Sequence, residues 1–403
     1  MLKQPWKRKF FTIMAGQTVS LVGSGAVQFA LIWWLASETG SPLMMALSGL
    51  VAFLPQTLLG PFAGVWIDRM KRKTVVMAAD LFQGLVALAF AAAFLLKAPP
   101  YWSACLVLGV RSVGTVFQTP AMQALIPQLV PQDELVRVGA WQQFLQSGAF
   151  MLGPVLGALM YGALPLPVIL LTDLLGALAA NLTLGVTKID EPPHTHAEAP
   201  HFLREFRAGW QALTADKPLC ALLLAAGGCM VFFMPLASYY PLMTSDYFNL
   251  SAFHGGIVEF TYALGMLLTS CIVGLFGHIK HKLLFAHLGL LGIGLSTLVA
   301  GLTPPSIAGF WVFAVACTFL GGSGNFYGIP TVAYMQEAIP QEAQGRVFSL
   351  MGSLLSLTMP LGLLLSGPVA EAYGVARWFL ISGIAILIIP IISLLVIRRL
   401  KNV

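Results

Sequence analysis

The stretch Gly64–Lys73, which reads GVWIDRMKRK, joins two long apolar segments and is itself strongly charged. It places one acid and four bases between Asp68 and Lys73, although only 9% of the 403 residues in the chain are charged. Basic residues that follow an apolar run are typical of loops on the cytoplasmic side of a membrane. We therefore interpret this stretch as a cytoplasmic turn between two membrane-spanning helices.

The composition of the whole chain agrees with a membrane protein. Hydrophobic residues make up 58% of the sequence and the mean hydropathy is +0.83, whereas an average soluble domain is about 45–50% apolar. Apolar runs of about twenty residues recur, and each is long enough to cross a hydrocarbon layer of about 30 Å as a helix. The sequence predicts an all-α membrane protein with about twelve transmembrane helices. The predicted spans are 10–36, 43–67, 74–96, 101–123, 138–161, 165–187, 218–244, 254–276, 283–301, 309–333, 346–370 and 376–397.

Lys and Arg residues predict the orientation of the chain in the membrane. With an even number of spans, 19 of the 22 basic residues lie in loops on one face, two lie on the other, and Arg111 lies inside a span. Basic loops stay in the cytoplasm, so we expect a multi-pass cell-membrane protein with both termini cytoplasmic. The net charge of +6 is then explained by the membrane surface and does not indicate nucleic-acid binding.

The chain divides near its middle into two similar halves. Residues 188–217 are the longest polar stretch, and apolar residues at helical spacing over 201–213 predict an amphipathic helix within it. Residues 120–142 resemble residues 330–351, with Pro120 matching Pro330 and Arg137 matching Arg346. We expect a six-helix bundle over 1–187, a cytoplasmic linker over 188–217 and a second, pseudo-symmetric six-helix bundle over 218–403.

The pattern Gly64-x-x-x-Asp68-Arg69-x-x-Arg72-Lys73 resembles a loop signature of the major facilitator superfamily. More narrowly, the chain resembles drug:proton antiporters of the macrolide-efflux type. Four stretches carry this resemblance: WKRKFFTIMAGQTVSLVGS at 6–24, AFLPQTLLGPFAGVWIDR at 52–69, RSVGTVFQTPA at 111–121 and GRVFSLMGSLLSLTMPLGLLLSG at 345–367. The resemblance implies the major facilitator fold and secondary active efflux of amphipathic drugs, driven by proton antiport through alternating access.

The same resemblance implies a cytoplasmic gate. Asp68 would face the amino end of the eleventh span near Arg346, where unpaired backbone amides carry a partial positive charge. The predicted gate residues are Gly64, Asp68, Arg69, Arg72, Lys73, Glu337 and Arg346. Lys71 stands where the family often has Gly. The alternative is that these basic residues only anchor the loop to the membrane surface.

Glycines around a proline in the fifth span resemble the antiporter signature of drug exporters. The residues are Gly148, Gly153, Pro154 and Gly157. Proline kinks a helix, and glycines one turn apart let two helix backbones touch. The resemblance implies that this segment seals a leak path, and tight helix packing is the alternative.

Charged residues inside spans are candidates for proton coupling, because each is costly in hydrocarbon unless it has a partner or water. Arg111 lies in the fourth span and matches an arginine of the superfamily's second signature. Glu259 in the eighth span is the first candidate for the coupling acid. Asp173 in the sixth span is a second candidate, or a structural partner of Arg111. For Asp80 we expect an ion pair with Arg69 or Lys73.

The substrate pocket is predicted from aromatic, methionine and amide residues of the first, fourth, seventh and tenth spans, since amphipathic drugs favour such surfaces. The predicted pocket residues are Gln28, Trp33, Phe117, Gln118, Phe232, Met234, Tyr239, Tyr240, Asn325 and Tyr327. The alternatives for these residues are interhelix packing, contact with lipid or an interfacial aromatic belt.

The sequence contains no motif for metal binding, ATP hydrolysis or enzymatic catalysis. His194, His196 and His201 lack further ligands at metal spacing, the five cysteines are scattered, and no P-loop or catalytic triad is present. We expect no cofactor, no metal and no enzymatic activity, and the expected partners are an amphipathic small molecule, protons and lipid. Cooperation with a separate ATP-driven efflux protein stays open. The alternatives are a major-facilitator exporter of a siderophore, lipid or metabolite, and a membrane-embedded enzyme.

Overall fold

The computed structural model describes residues 5–67, 69–97, 99–131, 134–189, 210–211, 213–276 and 281–401. Within these ranges the chain is almost entirely helical and has no strand, which confirms the predicted fold class. The helices are α1 (Pro5–Thr39), α2 (Pro42–Ile67), α3 (Arg72–Leu96), α4 (Trp102–Leu125), α5 (Leu135–Ala163), α6 (Leu166–Val186), α7 (Lys217–Phe233), α8 (Leu236–Leu242), α9 (Ala252–Phe276), α10 (Lys282–Leu302), α11 (Ile307–Ala338), α12 (Gln341–Tyr373) and α13 (Val375–Lys401).

Local chemistry explains several helix ends. The side chains of Asp216 and Ser306 cap α7 and α11 by accepting backbone N–H bonds from Leu219 and Gly309. Gly374 ends α12 with a φ of 89°, which residues with a side chain rarely adopt. Asp216 and Ser306 thus satisfy free backbone N–H groups at two helix starts, and Gly374 allows the turn between α12 and α13.

Eleven helical segments of the described ranges are long and apolar enough to cross a membrane. One of them, Lys217–Tyr247, joins α7, α8 and a turn of π-helix at Met243–Tyr247. Helix α4 is 24 residues long and covers the predicted span 101–123, but it is not among the eleven. Its most apolar stretch of membrane-spanning length is less apolar than those of the eleven, because it contains Arg111 and several Ser, Thr and Gln residues. The chain is a multi-pass membrane protein.

The described residues divide into two compact units. The N-terminal unit comprises those within Met1–Thr39, Ser48–Ala199 and Ser251–Gly256, and the C-terminal unit comprises those within Gly40–Leu47, Pro200–Leu250 and Ile257–Val403. The first residues of α2 therefore belong to the C-terminal unit, and the first residues of α9 belong to the N-terminal unit.

Each unit has the same pattern of helix pairing. In the N-terminal unit, α1 packs on α5 and α6, and α3 packs on α4 and α6. In the C-terminal unit, α7 packs on α12 and α13, and α10 packs on α11 and α13. The internal sequence repeat and this repeated pairing both indicate a duplicated bundle.

Most of the predicted amphipathic helix, 201–209, lies outside the described residues. Of its last part, Leu213 is buried against Met335 and Ile339 in a hydrophobic cluster of the C-terminal unit, whereas Trp210 is exposed. The apolar face of this segment therefore packs onto the C-terminal unit through Leu213. The exposed Trp210 is available for the predicted contact with lipid.

Candidate functional site

An ion pair lies in the core of the N-terminal unit. Arg111 of α4 and Asp173 of α6 approach to 2.8 Å between Nη2 and Oδ2, and their side chains are 6% and 2% exposed. Ser24 of α1 donates its hydroxyl to the other carboxylate oxygen. The predicted pairing of Asp173 with Arg111 is confirmed. Asp173 thus links α1, α4 and α6 through polar contacts within an otherwise apolar core.

A second polar cluster joins α1, α3 and α4. Gln118 donates from Nε2 to Oε1 of Gln17 at 2.9 Å, and Gln17 donates from Nε2 to Oδ2 of Asp80 at 2.8 Å. Asp80 and Gln17 are buried, and Gln118 is partly exposed. The expectation that Asp80 pairs with Arg69 or Lys73 is wrong, because its carboxylate accepts from the Gln17 amide and also lies near the Gln118 amide.

Glu259 lies two turns into α9 and is partly exposed. Its carboxylate is near the rings of Tyr240 and Tyr262, with which it interacts electrostatically. Among the described residues it has no hydrogen-bond or ion-pair partner. A carboxyl group with this environment can exchange a proton without breaking an ion pair, so its coupling role stays a prediction that the geometry permits.

The predicted pocket residues of the N-terminal unit differ in accessibility. Trp33 is 3% exposed and stacks on Phe29 at 5.9 Å, beneath Gly255 at the start of α9. Phe117 stacks on the half-exposed Trp66 of α2, with ring centroids 5.7 Å apart. Gln28 is exposed on α1. Phe117, Gln118 and Gln28 are therefore accessible to a ligand, whereas Trp33 is a packing residue in this arrangement.

Two of the six predicted pocket residues of the C-terminal unit, Tyr239 and Tyr240, are part of its core. Tyr239 is fully buried and donates its hydroxyl to Ser366 at 2.8 Å. Tyr240 is surrounded by the rings of Tyr262, Phe313 and Phe379. Contact between either tyrosine and a substrate stays a prediction that requires these side chains to move.

The other three positions of this set and Asn325 lie on partly exposed helix faces. Asn325 of α11 donates to the Met266 carbonyl at 2.9 Å and to the Ser270 hydroxyl at 2.8 Å, which ties α11 to α9. Phe232 stacks on Trp378, with ring centroids 6.1 Å apart. Met234 and Tyr327 are also partly exposed. Their proposed contact with substrate stays a prediction.

The basic residues after α2 cap other helices. Arg72 donates to the Ala124 carbonyl at the end of α4 at 3.1 Å. Lys73 donates to the Gly185 and Thr187 carbonyls at the end of α6 at 3.1 and 2.8 Å. Cations at helix carboxyl ends satisfy free carbonyls and complement the helix dipole. Sequence reasoning missed this role, since no local pattern shows which helix ends lie beside the loop.

The predicted gate centres on a contact between Asp68 and the helix end near Arg346. Asp68 and the side chain of Arg346 lie outside the described residues, and so does the surrounding of Gly64. Arg69 is exposed. Glu337 of α11 forms an ion pair with Lys282 of α10, with 2.6 Å between Oε1 and Nζ. Glu337 was expected to act beside Arg346, but it pairs with Lys282, which was not among the predicted gate residues.

The glycine motif of α5 brings two helix backbones together. A Cβ atom added at Gly153 would lie 3.0 Å from the Gly25 Cα, and one at Gly157 would lie 2.6 Å from the Ala26 carbonyl oxygen. Pro154 lies between them inside α5. A Cβ atom at Gly148 would meet no atom within 4 Å. Two of the three glycines therefore allow α5 to touch α1, and the sealing role stays a prediction.

Metal ligation finds no support in the part of the chain that the structure describes. No group of three or more His, Cys, Asp or Glu side chains there could hold a metal ion. The cysteines of this part, Cys105, Cys220, Cys229, Cys271 and Cys317, are all free thiols.

Comparison with known proteins gives a consistent result. The chain is 39% identical over 388 residues to Macrolide efflux protein A of Streptococcus pyogenes, covering 96% of this chain and 95% of that protein. It is 37% identical over 325 residues to Macrolide efflux protein A of Enterococcus faecalis, covering 80% of this chain and all of that protein.

Solved structures share the fold. A bacterial homologue of the iron transporter ferroportin, in an inward-facing state, matches with a TM-score of 0.73 at 18% identity over 96% of this chain and 98% of that one. A bacterial homologue of the lysosomal transporter Spinster matches with a TM-score of 0.71 at 15% identity, covering 99% of this chain and 98% of that one. The model of the Major Facilitator Superfamily matches residues 13–353 and 236–402. On its helical architecture and on these matches, the chain belongs to the major facilitator superfamily.

Proposed function

We propose that this protein is a secondary transporter that exports amphipathic drugs, macrolides in particular, in exchange for protons. The observation that carries this proposal is the 39% identity to Macrolide efflux protein A of Streptococcus pyogenes along 96% of the chain. Both termini face the cytoplasm, and two bundles, 1–187 and 218–403, alternate access around a central site on either side of the linker 188–217.

Several residues take part in proton coupling in this proposal. Glu259 supports it because its carboxylate is free of ion pairs among the described residues and can bind a proton from water. Arg111 and Asp173 support it as a buried ion pair between α4 and α6, and α4 also carries Gln118. Phe117, Gln118 and Gln28 contribute to substrate contact, since their side chains are accessible on the N-terminal unit.

The proposal is tested by drug accumulation in cells. A macrolide-sensitive bacterium that expresses the protein should accumulate less radiolabelled erythromycin than the empty host, and a protonophore should abolish the difference. Accumulation that is equal in both strains would refute macrolide export. A difference that survives the protonophore would refute proton coupling and would favour an ATP-driven partner.

Variants then assign the coupling residues. Glu259→Gln should raise erythromycin accumulation to the level of the empty host. Arg111→Gln should do the same when its amount in the membrane is matched to that of the wild-type protein. Matched controls are Glu38→Gln and Arg137→Gln, whose side chains are exposed, and these should retain export. Normal export by Glu259→Gln at both acidic and neutral pH would remove Glu259 from the coupling mechanism.

One further class of substrate remains a second candidate. Relatives with the same fold include transporters whose names indicate metals and nucleosides, so the fold alone does not select a drug. A panel of fluorescent drugs, siderophores and lipids, tested for export from the same cells, separates an exporter of another small molecule from a macrolide exporter.

A further inference from the structure

Three polar side chains form a hydrogen-bonded series through the N-terminal unit. Asp80 of α3 accepts from Gln17 of α1, and Gln17 accepts from Gln118 of α4. The first two are 5% and 2% exposed, whereas Gln118 is partly exposed. The chain therefore leads from a buried carboxyl group to an accessible amide.

The direction of these hydrogen bonds depends on the proton of Asp80. An ionised carboxylate can only accept, so Gln17 presents its amide NH₂ to Asp80 and its carbonyl to Gln118. Gln118 then turns its own NH₂ inward and leaves its carbonyl oxygen outward, where Thr119 Oγ1 approaches to 3.4 Å. This is the arrangement that the structure shows.

Protonation of Asp80 would reverse the direction of the hydrogen bonds among these three side chains. A neutral carboxyl group has an O–H that can donate to the Gln17 carbonyl, after which Gln17 donates to the Gln118 carbonyl. Gln118 then points its NH₂ outward. The two ends of an amide have nearly the same shape, so both side chains can rotate by about half a turn without repacking their neighbours.

Asp80 can gain and lose a proton without breaking an ion pair among the described residues. The charged group that faces it is Asp173 of α6, which is close enough to repel it and is itself paired with Arg111 of α4. None of the ion pairs among the described residues includes Asp80. A carboxylate without a cation partner in a membrane protein is a candidate for proton binding.

We propose that Asp80 is a proton-binding site of this transporter and that Gln17 relays its protonation state to Gln118, which contacts the substrate. With Asp80 ionised, the outward carbonyl of Gln118 accepts a hydrogen bond from a hydroxyl or ammonium group of an amphipathic substrate. When a proton from water forms the O–H bond on Asp80, Gln118 presents NH₂ instead and the substrate loses its acceptor. Because linkage is reciprocal, substrate binding equally favours proton release.

This inference rests on the proposed proton-coupled export, and it is tested by equilibrium binding of tritiated erythromycin to the purified full-length protein in lipid nanodiscs. The wild-type protein should bind about tenfold more weakly at mildly acidic than at mildly alkaline pH, a typical size for coupling between two sites. Asp80→Asn, which cannot ionise, should lose most of this pH dependence, and the part that remains is assigned to Glu259.

A second pair of variants separates the relay from the stability of the fold. Gln17→Met keeps Asp80 and fills nearly the same volume, and it should also remove most of the pH dependence. The control Gln83→Met replaces an amide of α3 that accepts from Thr115 and is not part of the series Asp80–Gln17–Gln118. It should keep the tenfold pH dependence of erythromycin binding. Gln17→Met and Gln83→Met decide the relay even where Asp80→Asn does not fold.

The outcomes distinguish two failures. Absence of erythromycin binding by the wild-type protein, or efflux insensitive to a protonophore, would refute the proposed function and this inference with it. Proton-driven efflux together with an undiminished pH dependence of binding in Gln17→Met or Asp80→Asn would overturn only the inference. Wild-type binding that does not change with pH would do the same.

Discussion

Arg111 and Asp173 form an ion pair of 2.8 Å between α4 and α6, and both side chains are almost completely buried. A buried pair contributes little net stability, because desolvation offsets its attraction, but removal of one partner leaves an unpaired charge in an apolar core. The pair therefore makes the N-terminal unit sensitive to single substitutions at two positions far apart in sequence.

The first prediction concerns this pair. Asp173→Ala should lower the free energy of unfolding by about 3–5 kcal/mol, because Arg111 loses its counter-charge. The double variant Asp173→Leu with Arg111→Leu should recover most of this loss. Thermal unfolding of the purified protein in detergent measures both, and equal destabilisation by the single and the double variant would contradict the prediction.

The second prediction compares two glycines of α5. Gly157→Ala should destabilise the protein by about 1–3 kcal/mol, since the new methyl group would lie 2.6 Å from the Ala26 carbonyl oxygen and would push α5 away from α1. Gly148→Ala should be neutral or slightly stabilising, because that position is open and alanine favours a helix. Thermal unfolding compares them.

The sealing role of the same helix has its own measurement. In proteoliposomes with a pH-sensitive dye inside, Gly157→Ala should leak protons faster than Gly148→Ala if contact between α5 and α1 closes the leak path. Equal leak rates would assign Gly157 to packing alone.

A third prediction concerns the basic loop after α2. Lys73→Ala should destabilise the protein by about 0.5–1.5 kcal/mol, because the carbonyls of Gly185 and Thr187 lose a charged donor. Lys71→Ala removes an exposed lysine of the same loop and should leave stability unchanged. Thermal midpoints that fall equally in both variants would favour a general role of the positive charge over helix capping.

The fourth prediction concerns the start of α2. Glu371 of α12 accepts from the Ser41 hydroxyl and from the Leu43 backbone N–H, each at 2.9 Å, so it caps this helix from another part of the chain. Glu371→Ala should speed amide hydrogen exchange in the first turn of α2 by about fivefold or more, since a cap of this kind contributes about 1 kcal/mol or more. Glu38→Ala, an exposed acid bonded to Tyr101, serves as the control and should leave that turn unchanged.

Some site residues could be identified from the sequence because their chemistry is unusual for their position. Arg111, Asp173 and Glu259 were selected as charges inside apolar runs, and two of them proved to be partners. Gln17 and Ser24 were missed, because uncharged polar residues are common in spans and only their contacts with Asp80 and Asp173 show their role.

The sequence by itself determined the class of the fold, its duplication and the superfamily. Apolar runs of membrane length and the spacing of charged loops follow from the free energy of transfer into lipid, which acts on each segment separately. Only the tertiary structure decided that Lys73 caps α6, that Glu337 pairs with Lys282 and that Asp80 faces Gln17. These contacts depend on which helices become neighbours and how each is rotated about its axis, and that is set by packing over the whole unit.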